Sequence, residues 1–294
     1  MSVTVATMEV GQPVEGVFAV RAKERRLSRQ GTPFLALTVA DATGAIAGYV
    51  FDQADFFDGQ FAVGDRVRIA GQVMARSGRP AIRIRHLRPA ADEVPAEDLL
   101  PRSHREPEEL LGFAEVLTTE IADPSYRQVV AGIFADRVLA DGWLSAPCTR
   151  SGHHAYRGGL LEHTVGVASL AQTLCQWHPR LDPDLLVSAA LVHDVGHIRG
   201  WRMGATFELT EEGRMLGHVA IGQEIIDAAA RRVHLPDARR LALLHVTGWH
   251  HGPPAGQHAN SGSPEALALM RINSLETQVK SRLEGSGPVE DSLA

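Results

Sequence analysis

Leu185-Leu186-Val187-Ser188-Ala189-Ala190-Leu191-Val192-His193-Asp194-Val195-Gly196 is an apolar run that ends on an imidazole, a carboxylate and a glycine. Asp182-Pro183 just before it has the form of a helix start, an acid to cap and a proline for the first turn. The run therefore reads as a buried helix that delivers His193 and Asp194 from a rigid support into a cavity. The pair suits metal binding, because a carboxylate can bridge two cations while a neutral imidazole supplies a borderline-soft nitrogen. Mixed N and O ligands favour Mn, Fe, Co, Ni or Zn over Mg or Ca.

Outward from this pair, His163 lies thirty residues upstream, and His218 and the tandem His250-His251 lie downstream. Of 14 histidines, 12 fall between His153 and His258, a crowding that core packing alone does not explain. Any one of them is more readily a core or surface residue than a ligand, but a helical set around one Asp points to a metal centre. A structural site would favour closed tetrahedral Cys/His sets. Only Cys148 and Cys175 are present, with no CxxC spacing and too few for a disulfide framework, so both read as small buried hydrophobes.

The centre is set in helical texture. Apolar residues recur at three and four in Leu110-Leu111-Phe113-Val116-Leu117, Leu160 to Leu174, Leu216 to Ile226, Leu241 to Val246 and Leu267 to Val279, with Ser263-Pro264 as a second helix start. Residues 111–294 are thus expected to be an all-α domain, and 91–110, with Pro95, Pro101 and Pro107 among acids, a linker or docking strap. Within residues 1–90, the stretch from about Val14 to Arg88 alternates with period two, as in Arg66-Val67-Arg68-Ile69-Ala70. Strands are expected at about 14–26, 33–40, 44–51, 65–75 and 80–88, with a short helix at 53–60. Five short strands with a helix after the third is the plan of an OB-fold barrel, whose face commonly binds oligonucleotides. The fold class is therefore two-domain, an N-terminal all-β OB-fold barrel and a C-terminal all-α domain.

Composition limits the function classes. The chain has 294 residues, 44% hydrophobic and 22% charged, with a net charge of -6 that is unevenly spread. Residues 1–90 carry +4 and the rest -10, which excludes a uniformly basic nucleic-acid binder and leaves the barrel as the cationic part. No run of 18 apolar residues and no basic start before an apolar core occurs, so no membrane partner and a cytoplasmic location are expected. On the barrel, Arg66, Arg68, Arg83 and Arg85 are candidates for tracking a single strand's backbone, with Arg88 beside them. Phe34 and Tyr49 are candidate stacking platforms, ahead of Phe18, Phe51, Phe56 and Phe57, although most Phe residues in a small barrel fill its interior.

Four stretches carry a specific resemblance: His153-His154-Ala155-Tyr156-Arg157-Gly158-Gly159-Leu160-Leu161-Glu162-His163-Thr164, Leu191 to Gly196, Leu209 to His218, and His250-His251-Gly252. Together with Gly31-Thr32-Pro33-Phe34 and Asp41-Ala42-Thr43-Gly44, they closely resemble the YhaM-type 3′→5′ exoribonucleases, which join an OB-fold to an HD domain. The resemblance implies an HD-superfamily metal-dependent phosphodiesterase that degrades single-stranded RNA, and in some members DNA, from the 3′ end. It implies two divalent ions with manganese favoured, Ni, Fe, Co or Zn being the alternatives, and a homo-oligomer. One ion would be held by His163, His193 and Asp194, and the second by Asp194, His218, His250 and His251. Catalytic candidates are Asp194, His193, His197 and Arg157. His153 and His154 are placed to touch substrate phosphate or, equally, to be structural.

Two positions depart from that pattern. The family's His-Asp-x-Gly-Lys here ends in His197, exchanging a cation for an imidazole that is mostly neutral near pH 7. The family's last ligating Asp is Asn273, an amide that brings no charge, so weaker binding at one ion is expected, with Glu276 one turn later as a substitute. Three rival functions follow: a phosphohydrolase of small nucleotides or cyclic dinucleotides, a catalytically weakened nucleic-acid binder, and a structural metal site in an interaction module.

Overall fold

A computed structural model describes residues 3–150, 152–256, 258 and 262–284. The chain divides into two compact units. One holds Met1–Pro101 with Met203–Glu208, the other Arg102–Arg202 with Leu209–Ala294.

The first unit is a closed five-stranded barrel of β1 (Pro13–Leu27), β2 (Pro33–Asp41), β3 (Gly44–Val50), β4 (Arg66–Arg76) and β5 (Arg79–Pro89), in the order β1-β2-β3-β5-β4. All pairs are antiparallel except β3 with β5, and β4 closes the ring by pairing with β1. Alternation puts Leu35, Leu37 and Val39 of β2 inside with Phe18, Val67, Ile69, Val73, Ile82 and Ile84. A short helix α1 (Ala54–Asp58) contributes Phe57 to that core. The hairpin between β2 and β3 is pinned by Asp41, which accepts from the N–H groups of Thr43 and Val5, both at 2.8 Å. At the β4 bulge a side chain on Gly71 would place its Cβ 2.3 Å from the Arg83 carbonyl, so only glycine allows the strands to close there. These are the five strands, with a short helix after the third, expected of an OB-fold.

Residues 91–110 carry structure of their own. A 3₁₀ turn spans Ala96–Leu99, Leu99 and Leu100 are buried, and helix α2 (Pro107–Thr119) opens on the proline.

The second unit is helical: α2, α3 (Pro124–Phe134), α4 (Arg137–Ser145), α5 (Gly159–Trp177), α6 (Pro183–Val192), the single turn α7 (His197–Gly200), α8 (Glu211–Arg232), α9 (Asp237–Gly248) and α10 (Pro264–Leu283). A two-stranded ribbon, β6 (Trp201–Met203) with β7 (Phe207–Leu209), separates α7 from α8. Both expected helix starts form as caps: Asp182 accepts from the Leu185 N–H at 3.0 Å and Ser263 Oγ from the Ala266 N–H at 3.2 Å. Helix α6 is buried from Leu185 to Val192 and packs against α2, α3, α5, α9 and α10. It has no polar face to spend, so its C-terminal end is a fixed point for the residues that follow. Among the described residues no helix is long and apolar enough to cross a membrane.

Candidate metal centre

Four elements bring five histidines to Asp194. His163 projects from the first turns of α5, His193 caps the C-terminus of α6, His218 follows a break in α8, and His250-His251 lie just beyond α9. Asp194 Oδ2 is 3.5 Å from His163 Nε2 and 3.4 Å from His193 Nε2, while Oδ1 is 3.4 Å from His218 Nε2 and 3.2 Å from His250 Nε2. His163 and His193 approach each other at 3.3 Å, His218 and His250 at 3.2 Å, and His218 and His251 at 3.0 Å, all Nε2 to Nε2. Two nitrogens about 2.1 Å from a shared cation lie roughly 3.0–3.4 Å apart at octahedral to tetrahedral angles, so these spacings fit common ions. Each carboxylate oxygen thus faces its own pair of imidazoles.

The outer ring nitrogens fix which edge points inward. His193 Nδ1–H donates to the Ala190 carbonyl at 2.8 Å, His250 Nδ1–H to the Thr247 carbonyl at 2.5 Å, and His163 Nδ1–H to Glu276 Oε2 at 2.6 Å. With Nδ1 carrying the hydrogen, Nε2 of each presents a lone pair to the centre. The 3.2 Å approach of His250 Nε2 to Asp194 Oδ1 is then a meeting of two acceptors, and buried Oδ1 has no hydrogen-bond partner. An unpartnered buried oxygen surrounded by lone pairs is what a cation would satisfy, so the donor set fits divalent metal.

Charge supports the same conclusion. Burial would raise the Asp194 carboxyl, but neighbouring imidazoles, His193 and His197 first, hold it well below the usual range. Burial, reinforced by His250, pushes His218 down to about 4, and burial with the same neighbour does so for His251. Burial also lowers His163, whereas for His193 the attraction of Asp194 outweighs burial and raises it. The lowered imidazoles, His163, His218 and His251, are available as ligands without first losing a proton.

A model described as the HD domain matches residues 160–281, and one described as an OB-fold nucleic acid binding domain matches residues 17–90. The chain joins an OB-fold domain to an HD domain. Curated relatives match along nearly the whole chain. The 3′-5′ exoribonuclease YhaM of Bacillus velezensis is 26% identical over 279 residues, which is 92% of this chain and 87% of that protein. YhaM of Halalkalibacterium halodurans is 26% identical over 95% of this chain and 88% of its own length, and YhaM of Bacillus subtilis 25% over 92% and 87%.

Other expected residues of the HD domain sit around the cluster in different ways. Asn273 is buried, and its Nδ2 donates to the His250 backbone carbonyl at 3.2 Å, so the amide's donor end braces the segment that carries two of the imidazoles. Glu276 is engaged by His163 Nδ1 on one oxygen and by His154 Nε2, at 2.7 Å, on the other. It orients His163 from behind. His154 is buried at φ 49 and also reaches the Tyr156 hydroxyl at 2.8 Å, a structural position, while half-buried His153 lies ring to ring with His163 at 6.4 Å. The described contacts of Arg157 are those of its backbone, which bridges to Arg102 and accepts from the Ser103 N–H. His197 Nε2 lies 3.9 Å from Asp194 Oδ2, and its Nδ1 accepts from the Trp201 indole N–H at 3.0 Å. A chain from Tyr156 to Glu162 to Lys280 extends the network outward, with hydrogen bonds of 2.9 and 2.6 Å.

The OB-fold residues divide into two groups. Phe34 and Tyr49 meet Phe51, Tyr49 and Phe51 lying nearly parallel at 14° with centroids 6.0 Å apart. The Arg76 guanidinium sits 4.1 Å over Tyr49, and Arg83 lies 5.8 Å from Phe51. Arg66 instead donates to the Val94 carbonyl at 2.6 Å, and Arg68 is paired with Glu93 and Glu15. Arg85 is exposed and lines a separate concavity with Glu15 and His86. Sequence reasoning missed Arg76 and Trp201. Arg76 carried only the weak signal of a cation entering the Ser77-Gly78 turn, and Trp201 only its spacing of four from His197.

Proposed function

We propose that the chain is a metal-dependent 3′→5′ exonuclease that hydrolyses the phosphodiester bonds of single-stranded RNA, with single-stranded DNA as a second substrate. The observation that carries this is the division of the two oxygens of Asp194 between His163/His193 and His218/His250. A carboxylate in that position could be shared by two divalent ions, and such a pair would be suited to in-line displacement at phosphorus. His163, His193 and Asp194 would hold one ion, and Asp194, His218, His250 and His251 the other, with manganese the expected metal. Bound there, such ions supply Lewis acidity for the phosphate oxygens and an acidified water for attack.

The protein's own contribution is orientation and exclusion. Glu276, Ala190 and Thr247 aim three imidazoles, and burial of His163, His193, Asp194 and His250 keeps solvent from screening their mutual field. On the OB-fold, Tyr49 and Phe51 offer faces on which bases stack, and Arg76 and Arg83 offer cations for phosphate or for cation–π contact. The exposed apolar residues Leu275, Val279 and Leu283 on α10 support self-association, and a cytoplasmic location fits the exoribonuclease relatives.

The test is incubation of 5′-labelled single-stranded RNA and DNA with Mn, Mg, Ni or no metal. A ladder shortening from the 3′ end only in the presence of metal is expected. Hydrolysis of mononucleotides or cyclic dinucleotides with intact oligonucleotides would move the assignment to small substrates, and binding without cleavage would leave a nucleic-acid binder.

A further inference from the structure

Seven titratable groups crowd the centre, and one of them is turned the wrong way to be a ligand. His197 Nδ1 receives the Trp201 Nε1–H at 3.0 Å. An indole nitrogen is a donor only, so while this bond exists His197 Nδ1 must be the acceptor, and the hydrogen of the neutral ring is on Nε2. That Nε2–H lies 3.9 Å from Asp194 Oδ2, too far to be used up in a hydrogen bond. The ring is stacked on His218 at 4.1 Å and 11°, with only 12% of its side chain exposed. The Asp194, His218, His250 and His251 group, whose ligand atoms lie within 4.8 Å of one another, does not include it. Its inward nitrogen has no lone pair to give.

We propose that His197 is a neutral hydrogen-bond donor to a non-bridging oxygen of the scissile phosphate, and that Trp201 is its positioning residue, holding the Nε2–H tautomer. This rests on the phosphodiesterase reading of the same centre. A donor aimed in advance at the place where charge develops needs no reorganisation during reaction, and a neutral one adds no repulsion toward two cations. The geometry is built to last. Trp201 follows the single turn α7 directly, and that turn is clamped on α8: a Cβ on Gly213 would lie 2.3 Å from the Gly200 carbonyl. Trp201 itself is 9% exposed, and its ring lies within 20° of the imidazole plane, so the indole N–H points at the Nδ1 lone pair.

The experiment has two arms on the full chain. In ¹⁵N-histidine-labelled protein loaded with diamagnetic zinc, long-range ¹⁵N–¹H correlation should show His197 as the Nε2–H tautomer, and Trp201→Phe should mix the two tautomers. In the oligonucleotide assay, Trp201→Phe should lower kcat about tenfold with KM and metal content unchanged, a fraction of the 10²–10³ known for loss of a whole oxyanion donor. The same substitution in a His197→Lys background should cost nothing more, because an ammonium donates in every orientation. An Nδ1–H tautomer in the wild type, or an equal loss in both backgrounds, overturns the proposal. Absence of hydrolysis by the wild type with any metal sinks the underlying phosphodiesterase reading instead, and the NMR arm still decides the tautomer.

Discussion

Asp194 and Glu276 show how two carboxylates of the same charge take opposite duties because of what surrounds them. Asp194 meets lone pairs, so it is electron-rich and open to cations. Glu276 meets ring N–H groups: burial raises its carboxyl, but hydrogen bonds from His154 and His163 outweigh that and hold it well below the usual range. Glu276→Gln keeps the volume but offers an NH₂ to one of two ring nitrogens that now donate, so His163 loses its fixed tautomer. Removing such an outer partner typically costs about 10–100-fold in metal affinity. A titration of metal-free protein should show that loss at one ion of two, and unchanged affinity at both would remove Glu276 from this role. That His163, His193, His218 and His250 gather around one Asp was legible in the sequence, because an imidazole cluster with one shared Asp has few other uses. The duties of Glu276 and Asn273 were not, since which end of a side chain is already occupied depends on residues more than twenty positions away, His250 for the amide and His154 for the acid.

Helices and strands were legible wherever periodicity is the cause, and their breaks were hidden. The apolar spacing from Leu216 to Ile226 gives no hint that Gly217 leaves the helix at φ 72, ψ 160, a region open essentially to glycine. That break turns His218 toward Asp194. Gly217→Ala meets no steric obstacle but must adopt the same backbone, at a cost of about 1–3 kcal/mol. The expected outcome is a fall in thermal midpoint together with metal content dropping from two ions toward one; a variant that keeps both ions would show that the kink does not place His218. On the barrel, alternation identifies the strands, while the pairing of Arg66 and Arg68 with residues 93–94 depends on a segment that carries no periodic signal. The aromatic face therefore carries the binding hypothesis. Tyr49→Ala should weaken single-strand RNA binding by about 1–3 kcal/mol, the usual worth of one stacked base. Arg76→Ala should also reduce the salt slope of log affinity. Substitutions at Arg66 that match these losses would put the strand on a different face.

At the scale of the whole molecule, the centre makes folding depend on pH. Burial lowers His153, His163, His197, His218 and His251, three of them to about 4, while His193 alone among the shifted imidazoles is raised. A histidine whose folded pKa is depressed binds fewer protons than its unfolded counterpart near 6.5, so between those values stability rises with pH and falls on acidification. His193 has the opposite sign, contributing stability that fades as pH rises through its folded value, but it is one group against five. Below the unfolded carboxylate range, Asp194 and Glu276 add to the loss, since both are held ionised in the fold and must be protonated on unfolding. Metal-free protein should therefore lose denaturant midpoint steadily from pH 6.5 to 4, and His218→Asn should flatten that slope by removing one of the imidazoles that resists its proton. With divalent ion present the fall should be steeper, because the bound state also requires neutral ligands. A midpoint in chelator that stays level across this window would mean the imidazoles take up protons without opposing the fold, and the cluster would then lack the lone-pair crowding on which its affinity for cations depends.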